Sequence, residues 1–491
     1  MQTDEDDARP MRAAARLSVL ALAAVLAGLV YALPLPGIPE AGRRMSAVMI
    51  VVVTLWLAEV LPLAVTALLG PALAVLVGVA TAEQAFAAFG NPIIMLFIGS
   101  FLIARVTFKH GLSERIAYRV LSLPLLGNSP TRAFVMLGLT TAALSAWMSN
   151  TAVTAMMLPI AQSVLLAMLG GERDTAPKSF AAAFVLIVTY SASVGGLFTP
   201  VGTPPNLIGI GLIEQATGTR IGFGEWIVAV LPVTLIALLV MMAYLAFTFR
   251  ADARRLVFDR AQMVARYAAL GAWRPVERRV VLALAVTALL WILPPVAELV
   301  LGAPGAWLVE HLPESIVPLL VAVVLFWVGE SRTSARPILA LPDLAAIDWP
   351  VVVLFGGGMC LGHLMTQSGM AHALGTSLAA YVPAGNSSVL VFVCCLLAIA
   401  VSETTSNTAS ANMVVPVVIA VSQQVGADAV SVGIAATAAC TFGFMLPVST
   451  PTNAMAFSTG FVTQRQMIRY GVVLDIVGIA LLSAWFGWVV R

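Results

Sequence analysis

The sequence predicts an all-α polytopic membrane protein of about eleven transmembrane helices in two inverted repeats, each with a re-entrant hairpin and a broken helix. Three observations predict this. Of 491 residues, 60% are hydrophobic and 10% charged, and the mean hydropathy is +0.98. A soluble domain carries roughly a quarter of its residues as charges, so the excess apolar surface here must face lipid. The apolar residues fall into runs of spanning length. Three short motifs also occur twice, in the same order, about half a chain apart. A net charge of +2 gives no reason to expect nucleic acid as a partner.

The first apolar run, 13–33, resembles a secretory signal, but its length and the further runs behind it predict a retained helix. Arg9, Arg12 and Arg16 place the tail, residues 1–12, in the cytoplasm. Further runs lie near 46–60, 62–80, 92–106, 179–217, 225–248, 279–302, 314–330, 350–365, 427–460 and 466–490. Between Arg250 and Arg279 stand eight arginines against Asp252, Asp259 and Glu277, so the linker 250–278 is cytoplasmic. Six crossings must then precede it, which holds only if the apolar segment 131–168 enters and leaves on one side. The same treatment of 386–421 gives eleven spans and an outside C-terminus. Arg43 and Arg44 fall in an outside loop, against the positive-inside rule. The chain divides into a first half, 13–249, the linker, and a second half, 279–491.

The linker also separates the repeats. Ile93–Leu112 lines up with Val351–Met370, 258 positions on. Ser149-Asn150-Thr151 matches Ser406-Asn407-Thr408 at 257, and "TPVGTPPN" (Thr199–Asn206) matches "LPVSTPTN" (Leu446–Asn453) at 247. An odd number of spans between the two starts inverts one unit against the other. Inverted repeats mark secondary transporters, with the substrate site where the repeats meet.

Prolines and a glycine inside the long runs 179–217 and 427–460 must break those helices. Unwound backbone in a membrane survives where it lines a cavity or is buried in protein. Its carbonyls can hold a cation, and the N-terminus of the following half-helix favours an anion. Asn beside two hydroxyls is a poor helix interior and a good turn or N-cap. With apolar flanks of about 15 residues, each Ser-Asn-Thr cluster therefore reads as the tip of a re-entrant hairpin. Uncharged hard oxygens suit a weakly held monovalent cation such as Na⁺, whereas Mg²⁺ or Ca²⁺ would want carboxylates. Interhelical hydrogen bonding is the competing use of such residues. None of the four motif regions contains Lys or Arg. A bound anion would then be balanced by dipoles and imported cations, which couples the two kinds of binding.

The paired Ser-Asn-Thr hairpins, each followed by a Gly/Ser-Thr-Pro-x-Asn break, resemble the divalent anion/sodium symporter (DASS) family over nearly the whole chain. The resemblance implies a transporter in the cell's inner (plasma) membrane, a homodimer, and elevator-type movement of a transport domain. Its substrates would be C4-dicarboxylates such as succinate, fumarate or malate, with Na⁺ as coupling ion and no other cofactor. By motif, sodium site 1 falls to Ser145, Ser149, Asn150 and the backbone of Gly202. Sodium site 2 falls to Ser402, Thr405, Asn407 and the backbone of Ser449 and Pro451. Ser149, Asn150, Thr151, Ser406, Asn407 and Thr408 would meet the substrate carboxylates, with Thr203, Thr450 and Pro451 close by. Ser449 and Thr452 stand where many relatives have Ala and Pro.

Other residues carry less. Glu403, inside the second hairpin, is read as tuning a cation site, carrying a proton, or bonding to neighbouring backbone. Glu59, Glu298 and Asp475 are expected near helix ends, interfacial or paired. Cys360, Cys394, Cys395 and Cys440 read as small buried hydrophobes. Gly356–Gly358 reads as close helix packing, and the stretches Lys109–Leu121 and Gly362–Gly375 as amphipathic arms at the membrane surface. An enzyme would need a catalytic pairing such as H-E-x-x-H or a clustered Ser/His/Asp set, and none occurs. The rival readings are a sodium-independent dicarboxylate exchanger and a carrier of citrate, tartrate or sulfate on the same fold.

Overall fold

A computed structural model describes residues 13–33, 37–169, 178–250, 256–331, 334, 336–379 and 387–489. The tail with Arg9 and Arg12, and the linker residues 251–255, lie outside them. Within the described residues the backbone is helical, with one isolated antiparallel bridge between Gly329 and Pro337.

The first half contains α1 (Ala13–Ala32), α2 (Glu40–Ala58), α3 (Leu63–Leu76), α4 (Ala82–Phe86), α5 (Pro92–Lys109) and α6 (Leu112–Leu121). It continues with α7 (Pro130–Ser145), α8 (Asn150–Met168), α9 (Lys178–Gly196), α10 (Pro204–Thr217) and α11 (Phe223–Thr248). The linker contains α12 (Arg260–Ala269). The second half begins with α13 (Pro275–Leu301), α14 (Ala303–His311), α15 (Val317–Trp327), α16 (Leu341–Ala345), α17 (Trp349–Gln367) and α18 (Met370–Ala379). It ends with α19 (Ser387–Thr404), α20 (Asn407–Val425), α21 (Ala429–Ala439), α22 (Pro451–Ser458) and α23 (Gln464–Ala484).

Among the described residues, ten helices are long and apolar enough to cross a membrane. The expected runs 62–80 and 314–330 yield shorter helices, α3 and α15, of 14 and 11 residues. At 1.5 Å per residue these reach about 21 and 16 Å, short of a hydrocarbon core about 30 Å thick. The chain leaves α3 at Val77, whose N–H turns back to the Leu73 carbonyl. Residue Val328 (φ −78°, ψ 124°) ends α15. The arms α8 and α20 differ in the other direction. Each is 19 residues long, longer than the flanks expected, and each continues through an internal proline, Pro159 or Pro416.

The two hairpins, α7–α8 and α19–α20, pack with the broken pairs α9–α10 and α21–α22 into the largest apolar core, joined by α11 and α23. The spanning window of α9 is 94% buried, so this helix is the centre of the body, whereas that of α1 is 6% buried and lies at its surface. Two smaller cores lie to the side, one of α2, α3 and α17, the other of α5, α13 and α15. Gly356–Gly358 is the close seam expected of it. A methyl group on Gly357 would lie 2.3 Å from the Ala67 carbonyl oxygen, and one on Gly358 1.6 Å from Asn412 Oδ1.

The first amphipathic arm, α6, is clamped rather than loose on a surface. Arg115, 2% exposed, pairs with Glu277 at 3.1 Å and donates to the carbonyls of Leu270 and Gly271, each at 2.9 Å. An arginine at that depth needs such partners because a bare buried charge is costly. Arg43 and Arg44, the exceptions to the charge rule, both pair with Glu40.

Candidate functional site

Each hairpin tip is built alike. Ser149 caps α8 by accepting the Ala152 N–H at 3.3 Å, and Ser406 caps α20 by accepting that of Ala409 at 3.1 Å. The chain turns there because Ser and Asn compete with helix bonding. Capping leaves the next residue, the asparagine, at the first helical position. Ser145 Oγ then donates to Asn150 Oδ1 at 2.8 Å, and Ser402 Oγ lies 2.8 Å from Asn407 Oδ1. The second hydroxyl also lies 2.6 Å from the Cys440 carbonyl. Asn150 reaches the first break as well, its amide donating to Thr203 Oγ1 at 3.4 Å.

The unwound segments, 197–203 and 440–450, are stitched by the last residue of the repeated motif. Asn206, fully buried, donates its side-chain amide to the carbonyls of Gly196 and Thr199 at 2.9 and 2.8 Å. Asn453, equally buried, donates to Gly443 O at 2.9 Å, Leu446 O at 3.1 Å and Ser449 Oγ at 2.9 Å. The carbonyls that proline and glycine leave without helix partners are thereby satisfied. The sequence marked Asn206 and Asn453 only as part of a motif, and this stitching role was missed.

Close approach of each tip to its break depends on a glycine. A methyl group on Gly196 would lie 2.3 Å from Asn150 Oδ1. Its counterpart, Gly443, stands 247 positions on. A methyl group there would lie 3.2 Å from Ser402 Oγ and 3.4 Å from both Asn407 Oδ1 and Ser449 Oγ. Three side-chain oxygens therefore converge at the second tip, those of Ser402 and Asn407, assigned to sodium site 2, and that of Ser449, which was assigned there by its backbone instead. Thr405 is less directly engaged, since its hydroxyl donates to the Val401 carbonyl at 2.8 Å. In site 1, Gly202 rests against the Ser145 carbonyl, where a methyl would come within 2.8 Å.

One cavity of about 340 Å³ is lined by Ser149, Asn150, Thr151, Thr203, Ser406, Asn407, Thr408, Thr450 and Pro451 together. Every residue assigned to substrate binding thus faces the same space. The four helices that start at the repeated motifs begin on its wall, α8 at Asn150, α10 at Pro204, α20 at Asn407 and α22 at Pro451, besides the starts of α3 and α17 at its rim. Helix N-termini carry unsatisfied N–H groups and the positive end of the dipole, so four of them favour an anion there. Among the described residues no Lys, Arg or His lines the cavity, and the one charged residue there is Asp348, exposed at the rim. Nothing in the sequence marked this rim, formed by Pro62–Ala64, Asp348, Pro350, Val351 and Leu354 with Phe101 of α5. All but Phe101 sit at the starts of other helices, α3 and α17, which meet the tips only in the folded chain.

The kinship of the chain agrees with this geometry. A family model described as the sodium:sulfate symporter transmembrane region matches residues 14–490. The chain belongs to the sodium:sulfate symporter family, the divalent anion/sodium symporters its motifs resemble. It is a transporter and a multi-pass membrane protein. Within the family it is similar to a Haemophilus influenzae protein described as an uncharacterized transporter, with 32% identity over 91% of this chain and 92% of that one. It is also similar to the sodium-dependent dicarboxylate transporters SdcS of Staphylococcus saprophyticus and Staphylococcus aureus. Both are 29% identical, over 90% and 91% of this chain respectively and 85% of theirs. Among solved structures, the fold is shared with the YdaH transporter of Alcanivorax borkumensis, at a TM-score of 0.56 and 16% identity over 97% of this chain and 98% of that one. The Neisseria gonorrhoeae efflux pump MtrF gives the same TM-score at 14% identity, over 96% and 94%.

Of two neighbouring buried acids, Glu403 bonds to nearby backbone, one of the uses expected of it, and Asp475 lies elsewhere than expected. Glu403 accepts the N–H groups of Met445 at 2.7 Å and Leu446 at 3.0 Å, fastening the second tip to the second break. Asp475 is not near a helix end but in the middle of α23, 4% exposed. It is neither interfacial nor paired with a basic side chain; its neighbour is Glu403.

Proposed function

We propose that the chain is a sodium-coupled symporter of C4-dicarboxylates of the succinate, fumarate or malate type, working by an elevator-type alternation of its hairpin-bearing body against the flanking helices. The observation that carries the reading is the single cavity onto which both polar tips and four helix N-termini open without a basic side chain. Dipoles and hydroxyls alone compensate a dianion incompletely, and burying it so would be costly. Na⁺ at the two tips supplies the missing positive charge, and the oxygens around Asn150 and Asn407 are of the right kind to hold it. Dianion and cations then bind together or not at all, which is the condition for symport. The similarity to sodium-dependent dicarboxylate transporters supports the same reading.

Sodium site 1 comprises Ser145, Ser149, Asn150 and the Gly202 backbone; site 2 comprises Ser402, Thr405, Asn407 and the backbone of Ser449 and Pro451. The two tips belong to inverted repeats, with the N-terminus cytoplasmic and the C-terminus outside, in a homodimer of the plasma membrane. In that orientation the cavity rim, Pro62–Ala64 with Asp348, Pro350, Val351 and Leu354, belongs to the cytoplasmic side, so this conformation faces inward.

The test is succinate uptake into proteoliposomes under an inward Na⁺ gradient, compared with K⁺ in its place. Uptake that requires Na⁺, and that Asn150→Ala or Asn407→Ala abolishes, is the expected result. Uptake indifferent to Na⁺ and dependent on internal counter-substrate would instead make the protein an exchanger. Transport of citrate, tartrate or sulfate but not succinate would move the substrate assignment alone.

A further inference from the structure

The repeats depart from one another behind the second tip. In the first half the tip is fastened to its break by a neutral contact, the Thr199 hydroxyl donating to the Ala146 carbonyl, and Trp226 Nε1 donates to Leu197 O at 3.0 Å. In the second half the residue at the Ala146 position is Glu403, and its carboxylate holds two backbone N–H groups. Beside it stands Asp475 of α23. Glu403 is 2% exposed and Asp475 4%. Among the described residues no Lys, Arg or His forms an ion pair with either acid.

The surroundings bring the two carboxylates together by construction. Gly471 and Gly478 flank Asp475 on one face of α23. A methyl group on Gly471 would lie 2.5 Å from the Met445 nitrogen, and one on Gly478 2.4 Å from the Phe442 ring. The unwound segment can therefore lie directly on the helix, with Asp475 reaching into it. Tyr190 fixes the same stretch from the other side by donating to the Phe444 carbonyl at 2.8 Å. Neither oxygen of Asp475 has a partner within normal hydrogen-bond geometry, although Glu403 and the Phe444 backbone lie next to it.

We propose that Glu403 and Asp475 form a further Na⁺-binding position, behind the second break and separate from the two tip sites. The proposal rests on the sodium-coupled reading of the protein. Two buried carboxylates without a cation are costly to hold together. Glu403 keeps a second lone pair on each oxygen, and both oxygens of Asp475 are free, so the pair offers hard, anionic oxygen ligands. A proton on Asp475 would satisfy one of its oxygens and leave the other without a partner, whereas a metal ion held bidentate engages both. An ion here would also tie the helix α23, which the tip sites do not reach, to the arm α19 and the unwound segment.

The experiment is thermal unfolding of the purified full-length protein in detergent, read by tryptophan fluorescence, in NaCl against choline chloride at constant ionic strength. Each ion bound only to the folded state adds about 1.4 kcal/mol of stability per tenfold rise in its concentration above the dissociation constant. The Asn150→Ala/Asn407→Ala double variant should remain stabilised by Na⁺, and adding Asp475→Asn should remove that remainder. Glu403→Gln in the same background should do likewise, which guards against a folding defect peculiar to one variant; both are checked for monodispersity by size exclusion. A double variant indifferent to Na⁺, or one whose Na⁺ response survives Asp475→Asn and Glu403→Gln, overturns the proposal and leaves the tip sites standing. A stabilisation that follows pH in choline and disappears with Asp475→Asn, without any Na⁺ effect, assigns the position to a proton and overturns it too. Indifference of the wild-type protein to Na⁺ would instead contradict the sodium-coupled reading as a whole.

Discussion

At the scale of single residues, the tips work because a glycine faces each asparagine. Asn150 Oδ1 stands where a side chain on Gly196 would be, only 2.3 Å from the position of a methyl group, closer than any real contact allows. Gly196→Ala should therefore displace Asn150 and weaken Na⁺ activation of succinate uptake by about tenfold or more, the equivalent of one charge-assisted contact. Gly443→Ala should cost less, because its methyl would meet oxygens at 3.2–3.4 Å and they can give way slightly. Equal effects of the two substitutions on the sodium dependence, measured at matched protein levels in the membrane, would contradict this account. The serines and asparagines of the tips were legible in the sequence because their chemistry is unusual in an apolar run. The glycines opposite them were not, since nothing in a sequence tells which glycine a neighbouring chain will press against. Asp475 was misread for a related reason: position along an apolar run says little about depth once the run extends past it.

Among elements, the two breaks are where folding cost and function meet. Proline and glycine predicted them correctly, and both stretches leave the helix where those residues stand. What the sequence left open is how unwound backbone is kept from being a liability in an apolar body. Asn206 and Asn453 answer it by donating to the carbonyls the break exposes. Asn453→Ala should leave the Gly443 and Leu446 carbonyls with only the hydroxyl and N–H of Ser449 as donors and destabilise the protein by about 1–2 kcal/mol. A clear fall in the unfolding temperature of the detergent-solubilised protein checks it, and Asn206→Ala should behave alike. Helix lengths were the weaker part of the reading. An apolar run such as 62–80 sets an upper limit, and turn geometry at Val77 sets the actual end of α3. Conversely, α8 and α20 continue through Pro159 and Pro416, because a helix inside packed protein tolerates the lost hydrogen bond.

For the whole molecule, the doubled motifs were enough to foretell an all-helical membrane transporter, and kinship over residues 14–490 bears out the family. The pairing of the halves could be read because three motifs keep their order and near-constant spacing. The rim of the cavity could not, because the starts of α3 and α17 meet the tips only in the folded chain, even though α17 holds most of the repeat of Ile93–Leu112. The proposed inward-facing orientation of the cavity makes a directional prediction. Cys360, Cys394, Cys395 and Cys440 are all buried thiols, so a single cysteine introduced at the rim reports with little background. Leu63→Cys or Val351→Cys should react with a membrane-impermeant maleimide in inside-out vesicles and be protected in right-side-out cells; the reverse pattern would contradict the orientation.

The central claim is that dianion and Na⁺ compensate one another in one shared site between the two tips. Calorimetric binding of succinate to the purified protein, in Na⁺ and then in K⁺ at equal ionic strength, tests it most directly. The account predicts that succinate affinity rises steeply with Na⁺ concentration and that succinate strengthens Na⁺ binding by the same factor. Equal succinate affinity in Na⁺ and K⁺ would contradict it.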